Sequence, residues 1–186
     1  MNEELQDCLR QIEAVQRDAQ ALVAGLSDAP FNWRPEPGRW SVAQCLDHLN
    51  VATAKTLPAF DRAIRDARSR RLVAPGPFRY GWFANWMVRS MEPPVKRRMR
   101  TVKIFTPAPE GSVAEVVPEF LRVCDQLAER VRRADGLDLT RARVVSPVTR
   151  LLRMPLGAYF AFILAHERRH LWQARQVRET AGFPRA

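Results

Sequence analysis

The chain is poorest in the features that would place it in a membrane or in an oxidising compartment. No stretch of about 18 apolar residues occurs among its 186 residues, so no transmembrane span is expected. The richest apolar run, residues 154–164, is too short and leads directly into charges. Nothing reads as a signal peptide, because the opening MNEELQDCLRQIEAVQ is already an amphipathic helix with acids near its start. Cysteine is scarce: Cys8, Cys45 and Cys124 are odd in number and far apart, which argues against a disulfide framework and for a reducing, cytoplasmic setting. Strand-like alternation of any weight is missing, and so is an internal repeat. Histidine is scarce as well, with three in all: His48, His166 and His170.

What is present is ordinary globular composition, 46% hydrophobic and 27% charged, in a length suited to one domain over residues 1–186. Thirty basic and 20 acidic residues leave a formal charge of +10. Such a charge raises the prospect of a polyanionic partner. It is spread along the chain, however, and densest at residues 62–71 and 89–103, so a solvated surface accounts for it better than nucleic-acid binding.

Hydrophobic periodicity predicts four main helices. The first runs over residues 3–25, with Leu5, Leu9, Ile12, Ala19 and Val23 on one stripe. A loop punctuated by Pro30, Pro35, Pro37 and Gly38 follows. Ser41 has the signature of an N-cap with Gln44 as its capping-box partner, opening a second helix to about residue 68. Pro58 lies inside that pattern and predicts a kink or break. Residues 80–89 read as a short helix with Trp82, Phe83 and Trp86 turned inward, and residues 96–105 fit helix or extended chain equally. A third helix is expected from Ser112, capped with Glu115, to about residue 134, with Pro118 tolerated in its first turns. The fourth covers about residues 155–180 after a polar loop. The fold class is therefore all-α, a four-helix bundle with a long crossover connection between helices two and three.

His166 and His170, four apart on the last helix, present their rings on one side, at the edge of the stripe of Tyr159, Ile163 and Val177. His48 flanks the apolar stripe of helix two, so two helices can bring three imidazoles to one point. Neutral imidazole is a good ligand for Zn²⁺ and similar ions, and three protein ligands with one open position is the catalytic pattern. A cation there would lower the pKa of a bound water toward about 7, or hold a thiol as thiolate. The bland alternative is three unrelated core or surface histidines, and spacing alone does not choose. Cys45, one turn before His48, is a possible fourth ligand but reads better as a buried structural cysteine.

Residues 166–170, His-Glu-Arg-Arg-His, also fit the H-E-x-x-H pattern of zinc proteases. That reading lacks a downstream third ligand, since Glu179 on the same helix cannot fold back. Glu167 remains the candidate catalytic residue, as a general base beside the ion. A partner to a histidine or arginine and a solvated group at the helix edge are its alternatives. Gln173 is placed to hydrogen-bond a ligating histidine.

The ordered set Trp33-Arg34-Pro35, Gly38-Arg39-Trp40-Ser41, His48, and His166-Glu167-Arg168-Arg169-His170 followed by Leu171 and Gln173 resembles the DinB-like superfamily of metal-binding four-helix bundles. The resemblance covers nearly the whole chain. It implies one divalent ion, zinc or nickel, held by His48, His166 and His170. It also implies a homodimer and an activity among thiol S-transfer, thiol-dependent isomerisation and metal-dependent hydrolysis. The basic stretch at residues 95–103 and the aromatic cluster at residues 80–86 depart from the family pattern.

Two classes of function follow. The first is a metal-dependent enzyme, foremost a thiol S-transferase using a low-molecular-weight thiol, with a metal-dependent hydrolase as its sibling. Arginines such as Arg39 or Arg169 would steer an anionic thiol toward the ion. The second is a non-catalytic, metal-stabilised bundle that binds a partner or nucleic acid. Purely structural zinc is disfavoured, because closed structural sites use four protein ligands. A small-molecule substrate is expected and no membrane partner.

Overall fold

The computed structural model describes residues 1–95 and 101–184. Its elements are α1 (Glu3–Val23), α2 (Asp28–Asn32), α3 (Val42–Ser69), α4 (Trp82–Met91), a 3₁₀ turn (Lys103–Phe105), α5 (Val113–Arg133), a two-stranded hairpin of β1 (Arg143–Val145) and β2 (Arg153–Pro155), and α6 (Leu156–Glu179). The four long helices are α1, α3, α5 and α6, as the periodicity predicts.

Local chemistry sets where they begin. Asn2 Oδ1 accepts from the Leu5 amide at 3.0 Å at the start of α1, where Glu3 and Glu4 also suit the positive end of the helix dipole. α3 opens on the expected capping box: Ser41 Oγ accepts from the Gln44 amide at 3.1 Å, and Gln44 Oε1 accepts from the Ser41 amide at 3.2 Å. Pro58 does not break α3, which continues to Ser69. Its ring lies on an exposed face, where water can serve the carbonyl that the missing N–H would have engaged.

Cross-helix hydrogen bonds fix the directions. Asn50 reaches the Val116 carbonyl, and further along both helices Asp61 meets Arg130 and Arg133, so α3 and α5 run parallel. Gln11 meets Arg168, and Asp18 meets Arg175, so α1 and α6 also run parallel. Gln16 bonds to Asp125 while Met1 pairs with Asp135, which sets α1 against α5. The bundle is thus up-down-down-up, and the parallel α3–α5 pair is what requires the long crossover. One apolar cluster unites the four helices, with Phe31, Phe60, Phe120 and Phe160 among its largest fully buried side chains.

Four local expectations need correction. Trp82, Phe83 and Trp86 do not turn inward: they are 79, 43 and 55% exposed, and α4 buries Ala84 and Met91 instead. The Ser112–Glu115 capping box does not form. Asp28 Oδ1 accepts from the Val113 amide at 2.8 Å, and the Ser112 hydroxyl bonds to the Glu115 carboxylate. The first proline-rich loop contains the one-turn helix α2, which carries Asp28 to that position. The polar loop before α6 contains the β1–β2 hairpin, anchored by buried Val144 and Met154, where no strand was expected. Of residues 96–105, the 3₁₀ turn forms the end, and residues 96–100 lie outside the described residues. No helix among the described residues is long and apolar enough to cross a membrane.

Candidate metal centre

Antiparallel packing of α3 on α6 places His48 opposite His166 and His170. One potential ligand atom from each lies within 4.8 Å of the others. Their ring centroids are 4.5–5.0 Å apart, and all three rings meet edge to face. His48 and His170 are buried, and His166 is partly so.

The crossover sets the tautomer of His48. Its Nδ1 donates to the Phe105 carbonyl at 2.7 Å, and a carbonyl only accepts, so the proton sits on Nδ1. The lone pair of Nε2 is therefore left facing His166 Nε2 at 3.1 Å. Two nitrogens bound tetrahedrally to one zinc, each 2.0–2.1 Å away, stand about 3.3 Å apart. His170 Nδ1 is buried and makes no hydrogen bond, although Gln173 lies close enough to favour its proton. The residues fit a cation: three imidazoles, one with its lone pair fixed inward and one with a buried nitrogen unsatisfied.

Electrostatics keeps these donors neutral. Burial lowers the pKa of His48, takes His166 down to about 3 with help from His48 and Arg169, and takes His170 well below the usual histidine range. Neutral imidazole is the ligating form. Trp40 forms one wall, its ring 4.8 Å from His48 and 5.6 Å from His170.

The other sequence candidates lie around this group. Glu167 is buried but is not part of it. Its carboxylate sits beside Thr53, without a hydrogen bond on either oxygen, and its field reaches Cys124 on α5. Burial pushes it up to about 8. Cys45 does not join the histidines and is wholly buried in the core, its thiol pKa raised by that burial. Arg39 pairs with Glu36 at 3.5 Å on the surface. Arg169 donates to the Ser90 carbonyl at 3.2 Å, and Arg168 grips the Glu92 carboxylate through Nε and Nη2. Both arginines inside the His-Glu-Arg-Arg-His run thus hold the end of α4.

Sequence reasoning missed the Phe105 carbonyl and these two braces. The carbonyl carries no side-chain signal and lies 57 positions from His48. The consecutive arginines between two ligands were a visible signal for the braces, though their partners were not.

No curated protein matches the chain. A solved structure from Bacillus subtilis, YfiT, is described as "a probable metal-dependent hydrolase with an unusual four-helix bundle topology". It is similar to this chain in fold, with a TM-score of 0.63 at 14% sequence identity over 99% of this chain and 91% of that one. The profile of the DinB superfamily matches residues 11–174. With the bundle, the crossover and the three histidines in place, the chain belongs to the DinB superfamily.

Proposed function

We propose that the chain is a metal-dependent enzyme in which His48, His166 and His170 hold one divalent ion, zinc or nickel, and that it acts as a hydrolase on a small molecule. The observation that carries this reading is the inward lone pair of His48 Nε2, locked by the Phe105 carbonyl and facing a second ligating nitrogen. A bound cation with only three protein donors would supply Lewis acidity and a nucleophile at neutral pH. The protein's part is to keep the donors neutral by burial, to fix their orientation, and to wall the site with Trp40. The description of YfiT, a protein of similar fold, as a probable metal-dependent hydrolase supports the hydrolase reading.

Transfer of a low-molecular-weight thiol is the second reading. The same cation would hold a thiolate, and the charge of Arg169, felt by His166 and His170, favours an anionic ligand there. A general-base role for Glu167 belongs to either reading. It would require the carboxylate to turn from Thr53 toward the histidines.

The test is metal content by elemental mass spectrometry on untagged protein, beside His48→Ala and His166→Ala. About one zinc or nickel per chain in the wild type, lost in both variants, is the expected result. Ester and amide hydrolysis and thiol conjugation are then assayed on loaded protein. No metal after reconstitution would overturn both enzyme readings and leave a non-catalytic binding bundle.

A further inference from the structure

Among the described residues, α4 carries apolar surface that is left exposed. Trp82, Phe83 and Trp86 form a continuous ring surface. Phe83 and Trp86 stack with centroids 6.0 Å apart at 28°, and Trp82 meets Phe83 edge to face at 6.0 Å. The helix spends its other face on α6, where Ala84 and Met91 are buried. Its orientation is held by Arg168 on Glu92 and Arg169 on the Ser90 carbonyl, so the aromatic face is presented by a braced element.

Arginine flanks this face at both ends. The acid at the C-cap of α4 is Glu92. That acid is consumed by Arg168. Arg79, three residues before Trp82, and Arg89, on the same helical stripe as Trp82 and Trp86, are both exposed.

We propose that this face of α4 docks the protein on an anionic lipid surface. Exposed indole and phenyl rings flanked by arginine have the composition of helices that lie in the headgroup region of a bilayer. A second copy of the chain fits less well. The three rings expose roughly 400 Å² by their usual areas, against about 800 Å² per partner in a stable interface. Two chains of formal charge +10 would also bring like charge to that contact. Surface docking requires no spanning helix, and it departs from the sequence expectation of no membrane partner. It does not depend on the metal centre or on the reaction.

The experiment is co-sedimentation of the full chain with phosphatidylcholine vesicles, with and without phosphatidylglycerol, read beside tryptophan fluorescence. The wild type is expected to bind the phosphatidylglycerol vesicles, with a blue-shifted emission that is lost at high salt. Trp82→Ala/Trp86→Ala should weaken that binding by about tenfold or more, and Arg79→Ala/Arg89→Ala should remove the preference for anionic lipid. Circular dichroism of both variants should match the wild type, since the replaced side chains are exposed. Absence of wild-type binding, or equal binding by the tryptophan variant, would overturn the proposal. So would a dimer that dissociates in the tryptophan variant, or fluorescence quenching by an oligothymidylate without vesicle binding.

Discussion

His48 Nε2 and His166 Nε2 stand 3.1 Å apart although 118 positions separate them in the chain. With the His48 proton held on Nδ1 by the Phe105 carbonyl, this contact is a lone pair directed at a second imidazole. It needs a proton or a cation between the two nitrogens.

The histidines make the metal-free protein sensitive to acid. Each has a folded-state pKa below its unfolded value near 6.5, His166 at about 3. Below pH 6.5 the unfolded chain takes up protons that the folded chain refuses, so stability is lost as pH falls from 6.5 toward 3. Chemical denaturation in the presence of a chelator should show this loss in the wild type. His166→Ala should flatten the slope by about one proton; an unchanged slope would contradict the assignment.

Glu167 titrates in the opposite sense. Its folded pKa of about 8 lies above the unfolded value near 4.5, so it contributes stability below pH 4.5 that is lost as pH rises through 8. Glu167→Gln preserves the shape of the neutral acid. Its melting temperature relative to wild type should rise steadily between pH 5 and pH 8.5. Loss of turnover with metal content and melting unchanged would instead make Glu167 part of the chemistry.

Gly157 stands in the first turn of α6, where a Cβ would overlap the Tyr80 hydroxyl and the Glu4 carboxylate that it bonds. Alanine in a free helix position gains about 1 kcal/mol over glycine. Here Gly157→Ala should lose about 1–3 kcal/mol by overpacking. Equilibrium unfolding gives the sign directly.

Ser41 caps the helix that carries His48, and it is fully buried. Ser41→Ala should cost about 1–2 kcal/mol and weaken metal retention, because the start of α3 frays within about two turns of the ligand. Thr in its place should restore most of both, measured by thermal melting and by metal content after dialysis.

The parts of the structure legible in the sequence were those written in local periods. The four long helices, the Ser41–Gln44 box and the paired placement of His166 and His170 depend on neighbours three or four residues away. Trp82, Phe83 and Trp86 were misread for a physical reason. Aromatic spacing identifies a helix face but not whether anything lies opposite, and the Ala84–Met91 side of α4 met α6 first. At the failed Ser112 cap it is Asp28 that takes the Val113 amide, 85 positions away. The hairpin strands, three residues each, are too short for alternation to register. Glu167 offered three readings in the sequence, and its burial beside Thr53 and Cys124 depends on how α3 and α5 pack around it.

The up-down-down-up path has a consequence for the denatured chain. His48 belongs to the first half of the sequence and His166 to the middle of the final helix, so their meeting closes a loop of 118 positions. All three cysteines are free and buried, and none ties that loop. An ion gripped by these imidazoles would act as a removable cross-link. A permanent link across so long a loop would deprive the unfolded ensemble of entropy worth on the order of 5 kcal/mol. The three histidines thus stand where an extracellular protein would have placed its most effective disulfide, in a form that a chelator, and not a reductant, would open.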